Sequence, residues 1–168
     1  LDLDIEIFND GNNKTWFTEE RIKTIKLIHE YLDSKKEIGK VQSLYSLIEM
    51  ANLINKKPLN TFELSVLYNE VPENYKQTLI KPYLSIEKNM VKISARIKDS
   101  DNINRNNLII EINNYIEDNF KNIEEFKTNG LLVLYNNMLQ SLFSSQIKSF
   151  GFILISIFLM FIILFRSI

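Results

Sequence analysis

The amino-acid sequence predicts an α+β domain that continues into one transmembrane helix. Three observations lead to this fold class. Apolar and polar residues alternate in residues 1–8 and 90–98, and such alternation is typical of half-buried strands. Apolar residues recur at helical spacing after each of these stretches. Residues 149–165 contain no charged side chain, which indicates a membrane span.

The first predicted unit consists of a strand, a helix and a second strand. The first strand alternates Leu3, Ile5 and Ile7 with Asp2, Asp4 and Glu6. Residues 9–13 have the composition of a loop. Thr18 can cap the next helix, whose predicted buried stripe is Ile22, Ile25, Ile28 and Leu32. After Gly39, residues 40–45 predict a short strand.

Residues 46–82 predict a helical insertion. Residues 46–54 form an apolar-periodic helix. Asn60 and Glu63 have the spacing of a capping box that opens a helix ending near Val71. Pro72 and Pro82 bracket another short helical piece.

The second unit repeats the order strand, helix, strand. Its strand at 90–98 directs Val91, Ile93, Ala95 and Ile97 inward and Lys92, Ser94, Arg96 and Lys98 outward. A turn at 99–102 precedes a long helix with the stripe Leu108, Ile112, Ile116 and Phe120. Residues 123–127 form the last strand. The predicted core therefore includes Ile5, Ile7, Ile25, Ile28, Val91, Ile93, Ile97, Ile112 and Ile116.

Two such units, packed as one antiparallel sheet with helices on one face, make a split βαβ, ferredoxin-like domain. We assign this domain to residues 1–130. Residues 131–148 form a connecting helix, and residues 149–168 form a transmembrane helix that the sequence cuts short. The opening without Met and the stop after an apolar run predict a segment of a longer membrane protein.

The membrane interpretation of residues 149–165 follows from length and energy. The run lies between Lys148 and Arg166, whose side chains can snorkel to the headgroups. Its Phe, Ile and Leu residues give on the order of −4 to −8 kcal/mol for insertion, of which Ser149, Gly151 and Ser156 offset only a part. No Pro interrupts the chain from Leu131 onwards, so we expect one continuous helix.

Composition excludes several functions for the soluble part. Eighteen of the 20 basic residues and all 21 acidic residues precede Lys148, so the net charge of that part is 18 − 21 = −3. Nucleic-acid binding needs a basic stripe and is not expected. The chain has no cysteine, which excludes disulfides and thiolate metal sites.

Four groups of residues are candidates for a site, and each also has an ordinary structural interpretation. His29 is the single histidine and lacks partners at metal-ligand or catalytic spacing, so a surface or boundary residue is favoured. Asp2, Asp4 and Glu6 could bind a cation, but alternating acids usually form the solvated face of a strand. Trp16 and Phe17 could form a binding ledge, although a hydrophobic staple at the helix start is favoured. Gly130 is interpreted as a residue that the backbone requires at the corner between the last strand and the following helix.

We predict no enzyme activity, no cofactor and no catalytic, metal or proton-relay residue.

Two stretches carry a family resemblance. The first is residues 129–167, with Gly130, the run Val133-Leu134-Tyr135, the run Ser145-Gln146-Ile147 with Ser149, and Phe165-Arg166-Ser167. It resembles the junction between porter domain and membrane in RND-superfamily transporters of the MMPL, or predicted-exporter, type. The second is residues 39–47, GKVQSLYSL, which is similar to the segment after the first porter helix of that family.

The resemblance implies a proton-driven exporter with two homologous halves. This chain would supply one extracytoplasmic loop and the membrane helix after it, with residues 1–148 outside the bacterial inner membrane. Its partners would be the lipid bilayer, the rest of the same transporter chain and a hydrophobic or lipid-like substrate. The family's proton-relay carboxylates lie beyond Ile168, so no functional residue is assigned here. The alternative is a membrane-anchored extracytoplasmic sensor or ligand-binding module.

Overall fold

The computed structural model describes residues 1–9, 16–98, 103–121 and 123–165. The strands are β1 (Asp2–Phe8), β2 (Ile38–Gln42), β3 (Leu84–Ser85), β4 (Met90–Ile97) and β5 (Glu125–Asn129). The helices are α1 (Glu19–Asp33), α2 (Leu44–Asn55), α3 (Thr61–Glu70), α4 (Glu73–Tyr75), α5 (Arg105–Asn119) and α6 (Leu131–Phe165), with a π-helical turn at Lys76–Ile80. The chain divides into two compact units, Leu1–Val133 and Leu134–Ile168.

All paired strands in the described part of the sheet are antiparallel. β1 pairs with β4 along its whole length, with Ile5 opposite Ile93, and its other edge pairs with β5. The free edge of β4 pairs with β2 at one end and with β3 at the other. The strand order is therefore β2-β4-β1-β5, with β3 beside β4. This is the order of a split βαβ sheet, and the predicted α+β fold with a long C-terminal helix is confirmed.

The two faces of the sheet differ in chemistry. One face presents the apolar residues Leu3, Ile5, Ile7, Val91, Ile93, Ala95 and Ile97, all of which are buried. The opposite face carries the residues between them, which are polar. The predicted register is correct, because Val91 and Ile93 are fully buried whereas Arg96 is exposed and Lys92 half-buried. A shift by one residue would have reversed the two faces.

Helices α1 and α5 cover the apolar face. The stripes predicted for them are buried. They are Ile22, Ile25, Ile28 and Leu32 on α1, and Leu108, Ile112 and Ile116 on α5, with Phe120 directly after α5. Ile109 is buried as well. The two helices also contact each other through the rings of Tyr31 and Tyr115, which stack with centroids 3.5 Å apart. Lys35, two residues after the end of α1, forms an ion pair with Glu111 of α5. Every member of the predicted core set is buried.

The insertion between β2 and β3 is helical, as predicted. Ser43 caps α2, and its side chain accepts a hydrogen bond from the Tyr45 amide. Asn60 and Glu63 form the predicted capping box of α3, with bonds of 2.9 and 2.8 Å between each side chain and the other's backbone amide. These bonds satisfy amides that lack partners within the first turn of a helix.

Several predicted boundaries were wrong. The second strand ends at Gln42 and not at residue 45, because Ser43 starts α2 there. The last strand covers Glu125–Asn129, two residues later than predicted. Thr18 occupies the cap position of α1, but its side chain makes no capping hydrogen bond. The loop predicted at 9–13 lies outside the described residues except for Asn9, as do the turn at 99–102 and the end of the membrane helix at 166–168.

The packing of α5 gives a stability prediction with a matched control. Ile112 is fully buried, whereas Ile110 on the same helix is about half exposed. We expect Ile112→Ala to lower the free energy of unfolding by about 2–5 kcal/mol, since it leaves a cavity in the core. Ile110→Ala should change it by less than about 0.5 kcal/mol. Fluorescence of Trp16, the single tryptophan, reports unfolding in denaturant. Equal effects of the two substitutions would contradict this packing.

Candidate functional site

The corner between β5 and α6 depends on Gly130. Its φ of 104° is one that L side chains rarely adopt. A Cβ atom there would lie 2.6 Å from the carbonyl oxygen of Asp2, which is part of the sheet. Two residues later, Leu132 is fully buried in the core. The start of α6 is therefore tied to the sheet by a backbone approach that only glycine permits, in agreement with the sequence interpretation of Gly130.

Helix α6 is one α-helix of 35 residues, and Lys148 is its single charged residue. The prediction that the connecting segment and the apolar segment form one continuous helix is confirmed. Its uncharged stretch at 149–165 rises by roughly 26 Å at 1.5 Å per residue. The hydrocarbon core of a bilayer is about 30 Å thick, so the stretch is long enough to cross it if the Lys148 side chain snorkels to the headgroups.

Exposure distinguishes α6 from a core helix. The large apolar side chains from Phe150 to Phe165 are all exposed, and none of the most apolar window is buried within the chain. The hydroxyl of Ser156 donates to the carbonyl oxygen of Phe152 at 2.9 Å, so this polar group has a partner inside the helix. Among the described residues, α6 is the one helix that is long and apolar enough to cross a membrane.

The three acidic residues of β1 face a polar surface with basic and amide partners. Asp2 lies 3.5 Å from the Arg96 guanidinium, and Asp4 accepts a hydrogen bond of 2.5 Å from Ser94. Glu6 accepts a bond of 2.9 Å from Asn129. Such paired carboxylates tie β1 to its neighbours on both sides. Within the described residues there is no cluster of three or more acidic or histidine side chains that could hold a metal ion.

His29 is not part of that polar surface, because α1 lies on the opposite face of the sheet. Its Nδ1 atom is 2.9 Å from the Ser43 hydroxyl, and its ring meets Tyr45 edge-on. The Ser43 oxygen accepts from the Tyr45 amide, and its hydroxyl proton is free to donate to Nδ1 when that nitrogen carries no proton. This arrangement suits a neutral imidazole. Burial lowers the pKa of His29 below its usual value, and it outweighs the opposing effects of Asp33, Glu49 and Glu30.

Trp16 and Phe17 do not form an exposed ledge. Both are 4% exposed and belong to the core. The indole Nε1 of Trp16 donates to the Asn89 side chain at 3.1 Å, and the Arg21 guanidinium lies over the ring. Phe17 immediately precedes the cap of α1, and Ile22 four positions after the cap is buried in the same core. These are the positions of a hydrophobic staple, as favoured from the sequence.

Clefts on the domain differ in size and lining. A cleft of about 240 Å³ lies beside Trp16, between α1 and the ends of β1 and β5. A second of about 370 Å³ lies between the π-helical turn and β3, where Glu73 pairs with Lys81 at 3.2 Å. Ligand pockets usually hold about 300–1,000 Å³ and enclose converging polar groups. The first cleft is smaller than this range, and the second combines the Glu73–Lys81 ion pair with the apolar side chains of Ile80 and Leu84. Neither cleft is lined by His29 or by the acidic residues of β1, so α6 is the stronger functional feature.

Sequence reasoning missed two local features. It did not find the contact of His29 with Ser43, because the partners are 14 residues apart and join only when α2 packs beside α1. It also treated α2 as an ordinary amphipathic helix, although Met50, Leu53 and Ile54 are exposed. The number of apolar residues in α2 was the available signal, since they exceed what one buried face can hold.

Comparison with known proteins assigns no family. No protein-family model matches this sequence, and no curated protein or solved structure matches it either.

The lowered pKa of His29 predicts a pH dependence of stability. A histidine with a lowered pKa in the folded state binds fewer protons there than in the unfolded state. Its contribution is therefore complete above the unfolded pKa of 6.5 and is lost as the pH falls below that value. We expect the domain to become less stable from about pH 7.5 to 5.5, a window above most carboxyl pKa values.

Denaturant titrations followed by Trp16 fluorescence would measure this slope, with His29→Gln as the control. Glutamine does not titrate, yet its amide oxygen can still accept from Ser43. In the variant, the free energy of unfolding should depend less steeply on pH. An unchanged slope in His29→Gln would assign the pH dependence to other groups.

Proposed function

We propose that this chain is an extracytoplasmic loop of an RND-type exporter together with the membrane helix that follows the loop. The observation that carries the proposal is the unbroken helix α6, which starts against the sheet at Gly130 and ends in an uncharged apolar stretch. An exporter must couple movement in the membrane to the domain that handles substrate. A helix without a break is a physical means of transmitting such movement.

The fold and the local sequence support the same proposal. The split βαβ domain is the architecture that the resemblance implies for a porter loop. The resembling stretch at 129–167 coincides with the end of β5, the Gly130 corner and the described length of α6. This support is analogy at the level of a family, because a fold alone does not define a function.

The proposal includes a location and partners. Residues 149–165 lie in the bacterial inner membrane, with residues 1–148 on its outer side. The partners are the bilayer, the rest of the transporter chain and a hydrophobic or lipid-like substrate. Transport draws on the proton gradient through carboxylates that this chain does not contribute.

Insertion of the apolar stretch is tested by a charge near its midpoint. Phe158→Asp should raise the free energy of membrane insertion by about 2.5–3.5 kcal/mol, since a carboxylate at the bilayer centre is costly. A membrane-integration assay on the segment measures this, and Phe158→Leu is the matched control that should insert normally. If the aspartate variant inserts as well as the parent, the segment is not a span.

The coupling role is tested by a proline in the connecting part of α6. Ser145→Pro removes a backbone hydrogen bond and kinks the helix at a cost of about 3 kcal/mol or more. In the full-length transporter we expect normal membrane insertion and loss of export, measured as efflux of a hydrophobic dye. Ser145→Ala keeps the helix and should retain export.

Retained export in Ser145→Pro would contradict the coupling role. The helix would then be only a tether, as in the alternative of a membrane-anchored sensor or ligand-binding module.

A further inference from the structure

The helical insertion carries the most exposed large apolar side chains among the described residues of the domain. Leu53 and Ile54 at the end of α2 are 76% and 79% exposed, and Phe62 at the start of α3 is 76% exposed. Met50 is exposed one turn before Leu53. These four residues, together with Lys56 and Lys57 in the loop between them, are called the apolar tip. Exposed apolar residues are common singly, but their concentration in one helix–loop–helix indicates an interaction surface.

The apolar tip is a well-formed structure and not a frayed end. Lys56 ends α2 with a φ of 58°, which turns the chain back. The Asn52 side chain accepts a hydrogen bond of 2.8 Å from the Leu59 amide across the loop. Asn60 then caps α3, and Leu64 fastens that helix to the core. The exposed side chains are thus held outward by a hydrogen-bonded turn, so little ordering is needed when they bind.

The lysines of the apolar tip favour an anionic occupant. Residues 50–62 contain two lysines and no acidic residue, and both lysines are exposed. Two carboxylates flank this stretch. Glu49 is exposed and directly precedes Met50, whereas Glu63 accepts from the Asn60 amide and lies 3.4 Å from Lys57, so Glu63 is engaged within the turn. A second copy of the tip would bring four lysines together. An anionic lipid surface instead offers negative headgroups for the lysines and acyl chains for the apolar residues.

We propose that the apolar tip inserts into the interfacial layer of an anionic bilayer, as a second membrane contact of the chain besides α6. The proposal rests on the proposed membrane location of the protein. Leu53, Ile54 and Phe62 enter the boundary between headgroups and acyl chains, while Lys56 and Lys57 stay at the level of the lipid phosphates. The contact is reversible, because a few apolar side chains and two lysines bind far more weakly than a spanning helix.

Because the chain has no cysteine, a fluorophore that reacts with thiols labels only the cysteine that is introduced. Single variants Leu53→Cys and Phe62→Cys carry an environment-sensitive fluorophore, and the full chain is reconstituted into vesicles. Two control positions are labelled in the same way: Glu117→Cys on the solvent side of α5, and Phe158→Cys within α6. The vesicles contain phosphatidylcholine alone or with phosphatidylglycerol, and spin-labelled lipids quench fluorophores that reach the bilayer.

With phosphatidylglycerol, we expect lipid quenching at positions 53 and 62 and none at 117. Replacing both lysines by Gln should lower the ratio of docked to undocked tip on the order of thirtyfold, because each lysine near an anionic surface contributes about fivefold. Quenching should weaken equally in vesicles of phosphatidylcholine alone. These results together would support the proposal.

Three results would overturn it. If position 53 remains as unquenched as position 117 while position 158 is quenched, the tip does not dock although the anchor inserts. If positions 53 and 62 lose contact with water only at high protein density and without lipid quenching, a second copy covers the tip. If quenching survives in the double Gln variant, anionic lipid is not what the tip recognises. If lipid does not quench the fluorophore at position 158, α6 does not insert and the proposed function itself is contradicted. This result differs from a failure of the tip alone to dock.

Discussion

The pairing of β1 with β4 is the constraint on which the rest of the domain depends. Ile5 lies opposite Ile93 at the centre of the sheet, and both side chains are fully buried. Because each strand has only two edges, β5 must take the remaining edge of β1, and β2 and β3 must share the remaining edge of β4. The alternation of both strands then makes one face apolar, so α1 and α5 can pack there and nowhere else.

The two compact units differ in whether their apolar side chains are buried within the chain. In Leu1–Val133 the sheet and helices remove apolar side chains from water, a gain of roughly 25 cal/mol per Å². In Leu134–Ile168 the chain itself covers none of the most apolar stretch. A helix that is hydrophobic on all sides needs surroundings that are apolar on all sides. A bilayer supplies these surroundings, which is why the membrane dominates the functional interpretation.

The acidic residues of β1 and His29 make contacts that join elements of the described domain. The acids of β1 pair with residues of β4 and β5, and His29 forms a hydrogen bond with the hydroxyl that caps α2. Each of these groups is satisfied by a neighbour that also joins two elements of secondary structure. Function in such a chain is therefore expected at surfaces. Helix α6 and the apolar tip share one property, namely exposed apolar side chains beside lysine without acidic residues among them.

The sequence by itself determined the strongly periodic parts of this protein. Alternation in β1 and β4, the stripes of α1 and α5, and the uncharged run of α6 each follow from one segment, so each could be predicted with its buried residues. Only the tertiary structure decided features that need two distant segments. Ser43 ends β2 early because its hydroxyl caps α2 and meets His29, and β3 forms only because β4 offers an edge. The exposure of Leu53 and Phe62 is of the same kind, since local pattern shows that a residue is apolar but not whether another element covers it.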